Sequence, residues 1–195
     1  MLLGVGVLLA AGCKQHLLTD YRPLDQAGMW SSDIEQLKGL NTSDPEVIQL
    51  VQLKQAGISD NTCVELVSTA HTHKHPFVSA TSAANLAVAG FTEQEILELA
   101  HADQLDAFSV DAVTLKLTGL SEATVQTVIH RRLQGLPVLS GPEIAKLKNT
   151  GLTEQQILQR INQGMTDEQA EKEIAARKRA SNQTGFIRIH GRKPR

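Results

Sequence analysis

Three imidazoles stand at alternate positions in His71-Thr-His73-Lys-His75. Residues two apart in an extended segment point the same way, and neutral imidazole suits Zn, Cu or Ni. His71, His73 and His75 are therefore the candidate metal ligands. Lys74 lies among them, however, and no carboxylate or thiol is close in sequence. Imidazoles near a helix C-terminus are favoured by the helix dipole without any ion, so the preferred reading is an exposed polar connection with no metal and no cofactor. The chain has two cysteines, Cys13 and Cys63. Catalytic chemistry has little to attach to: the sequence lacks a Gly-x-Ser-x-Gly elbow, a phosphate loop, a Cys-x-x-Cys pair and a His-Glu-x-x-His helix, and no enzyme is expected. Charge is the remaining resource. Up to Glu173 there are 21 acidic residues against 12 basic, and from Ile174 onward seven basic and none acidic. Arg177, Lys178, Arg179, Arg188, Arg192, Lys193 and Arg195 make the basic end a candidate site for an anionic lipid or envelope polymer. With aromatic residues at 3%, stacked platforms for sugars or single-stranded nucleic acid are not expected.

The elements that must position these groups are repeated. Four segments align on Gly57, Gly90, Gly119 and Gly151, at spacings of 33, 29 and 32 residues, a period typical of stacked supersecondary units. Four residues before each glycine stands a leucine (Leu53, Leu86, Leu115, Leu147). After it come a large apolar residue (Ile58, Phe91, Leu120, Leu152), a hydroxyl (Ser59, Thr92, Ser121, Thr153) and an acid (Asp60, Glu93, Glu122, Glu154). The sixth residue after each glycine is Cys63, Ile96, Val125 or Ile157. A left-handed glycine ends one helix, the apolar residue folds back on the leucine, and the hydroxyl caps the next helix with the acid in its first turn. The same apolar residue staples onto the sixth position, so Cys63 reads as a small core hydrophobe.

Thr92 with Glu95 and Thr153 with Gln156 form capping boxes, and Thr166 with Gln169 opens a last helix reaching about Arg179. Ser43-Asp-Pro-Glu46 and Ser140-Gly-Pro-Glu143 open first helices with an N-cap serine and an early proline. No alternating run suggests a sheet. The expected fold is all-α, an array of short helical hairpins, about nine helices over residues 33–180, left open between a solenoid and a closed bundle. Turns are expected at Phe77 to Ser82, Asp103 to Ser109 and Gly135 to Gly141. Residues 13–32 read as a tether and 181–195 as a loose basic tail.

Two resemblances add function. Met1-Leu-Leu-Gly-Val-Gly-Val-Leu-Leu-Ala-Ala-Gly-Cys13 is an apolar run too short to span a bilayer but of export-signal length. Through Ala11, Gly12 and Cys13 it resembles the lipobox of bacterial lipoproteins. The resemblance implies that residues 1–12 are a cleaved signal peptide and that the Cys13 thiol is linked to a lipid. Lys14, rather than aspartate, after the cysteine implies an outer-membrane protein facing the periplasm. The unit Leu-x-x-x-Gly-Leu-Thr-Glu-x-x-Ile also resembles the central turn of helix-turn-helix DNA-binding domains. The second helices, however, begin Asp60-Asn-Thr-Cys-Val-Glu65 and Glu93-Gln-Glu-Ile-Leu-Glu98, which are too acidic to meet a polyanion, and no nucleic-acid partner is expected. The sequence reading is thus an envelope-anchored, non-catalytic interaction scaffold whose protein partner the sequence does not name. Its alternatives are a periplasmic metal-binding protein using His71, His73 and His75, or a helix-turn-helix nucleic-acid-binding protein if the export signal is spurious.

Overall fold

The computed structural model describes residues 19–190, with side chains through Ser181. All its regular structure is helical, in eleven helices: α1 (Arg22–Gln26), α2 (Ser31–Gly39), α3 (Asp44–Gln55), α4 (Asp60–Thr72), α5 (Ala80–Val88), α6 (Glu93–His101), α7 (Leu105–Leu117), α8 (Glu122–Leu133), α9 (Gly141–Asn149), α10 (Glu154–Asn162) and α11 (Asp167–His190).

One residue of positive φ sits in each of the ten junctions between consecutive helices. Glycine supplies it at residues 28, 57, 90, 119, 135, 151 and 164, and Asn41, Lys74 and Asp103 supply it at the other three. In eight of the ten the N–H of the following residue reaches back to a carbonyl five positions earlier, as in Ile58 to Leu53 (3.1 Å) and Phe91 to Leu86 (3.0 Å), which satisfies carbonyls that the helix end leaves open. The repeated positions are where the core lies. Leu53, Leu86, Leu115 and Leu147 are buried, as are Ile58, Phe91, Leu120 and Leu152 after the glycines and Cys63, Ile96, Val125 and Ile157 at the staple.

Successive helices turn back on one another, and, with the exception of α6 and α8, helices two places apart also pack side by side. Odd helices form one layer, running α1, α3, α5, α7, α9 and α11, and even helices a second, in which α2, α4 and α6 pack in sequence and α8 packs on α10. Among the described residues, every substantial helix–helix packing joins helices one or two places apart. The array is therefore open, a quasi-one-dimensional stack in which each unit depends on its neighbours. The first layer is closely fitted where α9 begins, since a Cβ on Gly141 would lie 2.6 Å from the Asp111 carbonyl oxygen.

Several expectations need correction. The stretch read as a tether enters the fold: Leu24 and Met29 are buried, and the Tyr21 hydroxyl donates to the Thr42 carbonyl at 2.9 Å. Gly28 is a further corner of the same kind, with Leu24 four before it and Ile34 six after, but with Trp30 in the hydroxyl's place. Residues 80–82 and 105–109, expected in turns, belong to α5 and α7, and ten helices rather than nine cover the region from α2 onward. Helix α11 continues to His190 instead of stopping near Arg179. No proline interrupts that stretch, and Gly185 alone costs a helix only about 1 kcal/mol.

Candidate functional site

The histidine segment is not extended. Lys74 takes φ 65 and turns the chain between α4 and α5, which sends the three imidazoles to separate acceptors. His71 Nε2 meets Glu46 Oε1 at 2.7 Å. His73 Nε2 lies 3.1 Å from the His101 carbonyl oxygen. His75 places Nδ1 3.1 Å from the Pro76 carbonyl and Nε2 3.3 Å from Asp103 Oδ1. His73 and His75 stack with ring centres 6.1 Å apart. The Pro76 carbonyl first, then Asp103, holds the His75 imidazole above its ordinary pKa. Among the described residues no group of three His, Cys, Asp or Glu side chains converges as a metal site would require. The segment instead rims a cleft of about 320 Å³ with an apolar floor of Leu66, Phe77 and Leu105 and with Asp103 and Asp106 at its edge.

His71 serves a structural knot. Burial drives the Glu46 carboxyl upward in pKa, but the Ser43 and Phe77 N–H groups, the Ser43 hydroxyl and His71 outweigh it and leave the pKa below the usual value. That carboxylate closes the N-terminus of its own helix through Ser43 (2.8 Å) and accepts from the Phe77 N–H of the next unit (2.8 Å).

Carboxylates acting between units are the feature that sequence reasoning missed. Glu93 was expected only as a first-turn acid, yet it accepts from the Ser59 N–H at 2.9 Å and from the Ser59 and Thr62 hydroxyls in the preceding unit. Glu154 does the same to the Ser121 N–H (3.0 Å) and to the Ser121 and Thr124 hydroxyls. Asp60 accepts from the Trp30 N–H at 2.8 Å. Glu122 differs and pairs with Lys116, because the cap it would reach, Thr92, is already closed by Glu95 (2.6 Å). Ser140 is the N-cap of α9, with Pro142 in its first turn, as expected. Ser140 donates its N–H to Asp167 (2.9 Å), while Glu143 pairs with Lys146 instead of closing a capping box. Cys63 is buried, and that burial pushes its thiol up to about 12, so it is no nucleophile at neutral pH.

At the basic end, Arg177 is not free: its Nε donates to Glu173 at 2.9 Å, and Glu173 also takes a two-pronged bond from Arg160 (2.7 and 2.8 Å). Lys178 and Arg179 are exposed. Arg188 lies on the α11 backbone with its side chain outside the described atoms. Arg192, Lys193 and Arg195 lie outside the described residues, as do Cys13 and residues 1–12. Elsewhere, Val88 on α5 and Val110 and Leu117 on α7 are 82%, 72% and 78% exposed. With Ala89 and Val113 they form an apolar strip, rimmed by Asn85, Ser109 and Thr114, that carries no charged residue. No helix of the described residues is long and apolar enough to cross a membrane. No protein-family model matches the chain, and no curated protein matches it.

Proposed function

We propose that this chain is a bacterial envelope lipoprotein whose helical array is a non-catalytic scaffold for binding. Residues 1–12 are its signal peptide, Cys13 carries the lipid, and the outer membrane is its site, facing the periplasm. The observation that best supports a scaffold is the openness of the array. Because, among the described residues, each helix packs substantially only on helices one or two places away, the outer faces of both layers are left to solvent along their length, the surface that stacked repeats offer to partners. One of those faces bears the uncharged apolar strip on α5 and α7, and scattered apolar residues rarely gather so without a contact to make. The exposed cations Lys178 and Arg179 on α11 add attraction to anionic lipid or envelope polymer.

Replacing Cys13 with serine in the full chain tests the anchor. Wild type should incorporate labelled palmitate and enter the detergent phase, and Cys13→Ser should do neither. Equal partitioning of the two would refute it. A photo-crosslinking residue at position 110 tests the scaffold. In envelopes it should give adducts that vanish when Val88 and Leu117 become serine, and adducts insensitive to that change would remove the strip from the proposal.

A further inference from the structure

We propose that the wedge between α6 and α8 binds an oxyanion carried on an apolar group, a carboxylate or a phosphate, through Arg132. This stands whether or not Cys13 is lipidated.

Helices α1 to α10 contain four arginines. Arg22 is paired with Asp20 (2.7 Å) and Arg160 with Glu173 (2.7 Å), while Arg131 and Arg132 make no ion pair. No acidic residue occurs from Ala123 to Pro142. Asp103, between Ala102 and Gln104 on the facing corner, is directed to His75. Arg131 makes one hydrogen bond, Nη2 to the Pro137 carbonyl at 3.1 Å, and its Nε is buried without a partner. Arg132 lays its guanidinium carbon 5.5 Å from the centre of the Phe108 ring, and Phe108 is buried. A ring fixed in the core holds one face of the guanidinium by cation–π attraction and leaves its edge donors unused.

Those donors have a space to serve. Gln126 on α8 donates to Glu95 on α6, which ties the N-terminal halves of the two helices. Toward their C-termini a cleft of about 480 Å³ opens between the α6–α7 and α8–α9 corners, lined by Ala102, Gln104, Arg132, Leu133, Gly135 and Leu136. The walls supply one fork of cationic donors, one neutral amide and three aliphatic side chains. A planar or tetrahedral oxyanion takes the guanidinium edge two-pronged, and an alkyl or acyl portion fits against Leu133 and Leu136. A half-buried Arg132 without a carboxylate is poised for an external anion, whereas Arg22 and Arg160 carry their own.

The test is titration of the full chain in uncharged detergent with inorganic phosphate and, separately, with hexanoate, following the arginine Nε–H resonances by NMR. The Arg132 resonance should move saturably. Arg132→Gln should weaken binding at least tenfold, Arg132→Lys should retain part of it, and Arg179→Gln should leave it unchanged. Tighter binding of hexanoate than of phosphate identifies a carboxylate on an apolar group as the ligand chemistry, and the reverse order identifies a phosphate. Equal shifts with chloride at matched ionic strength, or undiminished binding by Arg132→Gln, would overturn the proposal. Should Arg132→Gln lose helix content by circular dichroism, the wild-type Nε–H titration against chloride decides alone.

Discussion

At four of the N-caps the third residue of the helix separates closure from within from closure by the next unit; Ser140 departs from this, because Glu143 is committed to Lys146 and Asp167 closes the cap. Thr92 and Thr153 have Glu95 and Gln156 there, and each closes its own cap, with N–H to carboxylate or amide distances of 2.6 and 3.0 Å. Ser59 and Ser121 have threonine at that position, and a neighbouring unit supplies Glu93 or Glu154. Removing Glu154 therefore strips a charged acceptor from an N–H and two hydroxyls, and Glu154→Ala should destabilise by about 1–2 kcal/mol in urea titration. Glu122→Ala removes a pair with Lys116 on the surface and should cost no more than about 1 kcal/mol. Equal costs for the two would mean that bridging between units adds nothing. The histidines follow the same logic of prior commitment. Since each imidazole has its own acceptor, calorimetry with Zn should show no sub-micromolar event that a triple alanine change at residues 71, 73 and 75 abolishes. Such an event would reinstate the metal site.

At the scale of the element, the corner is the unit of construction. Gly57, Gly90 and Gly151 take φ of 85, 88 and 88, where a side chain is strained. Gly90→Val should lower stability by at least ~1 kcal/mol, since β-branched residues strongly disfavour that region. Lys74 holds the same conformation at φ 65 with an exposed side chain. Lys74→Gly should therefore stabilise by roughly 0.5–1 kcal/mol after glycine's own entropy cost, a rise in melting temperature that scanning calorimetry would register. These two corners also mark what the sequence makes legible. Where glycine stands between a leucine and a hydroxyl, spacing reveals the corner, its buried apolar residue and the cap beyond. Where Lys74 or Asp103 makes the turn, the residue type announces it less plainly than glycine does, so the α6–α7 junction reads as a longer turn than it is. Trp30 hid the first unit in the same manner, because its cap comes from Asp60, thirty residues away. The Arg131 and Arg132 pair was likewise unreadable: their lack of carboxylates depends on which helices the fold places alongside them.

The whole molecule is an acidic array ending in a helix whose last residues are basic, and the two halves of that description make opposite demands on pH and salt. Hydrogen bonds from Ser121 and Thr124 hold Glu154 below the usual carboxylate pKa, and Arg160 holds Glu173 below it. Their stabilisation is fully present above the unfolded glutamate pKa of about 4.3 and fades as pH falls through the lower folded values. Acid should thus loosen contacts between units, and the midpoint in urea should drop below pH about 4.3 less steeply in Glu154→Gln than in wild type. The basic end answers to salt. Among the described side chains of α11, Ile174 is the last that is buried, and Arg177 is shared with Glu173, so the exposed cations begin at Lys178 and Arg179. Attraction to an anionic membrane reaches about 1 kcal/mol per cation near the surface. Folding back onto the acidic body competes only through exposed pairs worth ~0–1 kcal/mol, screened beyond ~8 Å. The dense surface should win. The Cys13→Ser protein should bind vesicles rich in anionic lipid at low salt and release them as salt rises. Truncation after Ala180 combined with Lys178→Gln and Arg179→Gln should abolish that binding, while Arg177→Gln alone should change it little and lower stability through Glu173. Binding that survives the truncation would move the contact onto the face of the array.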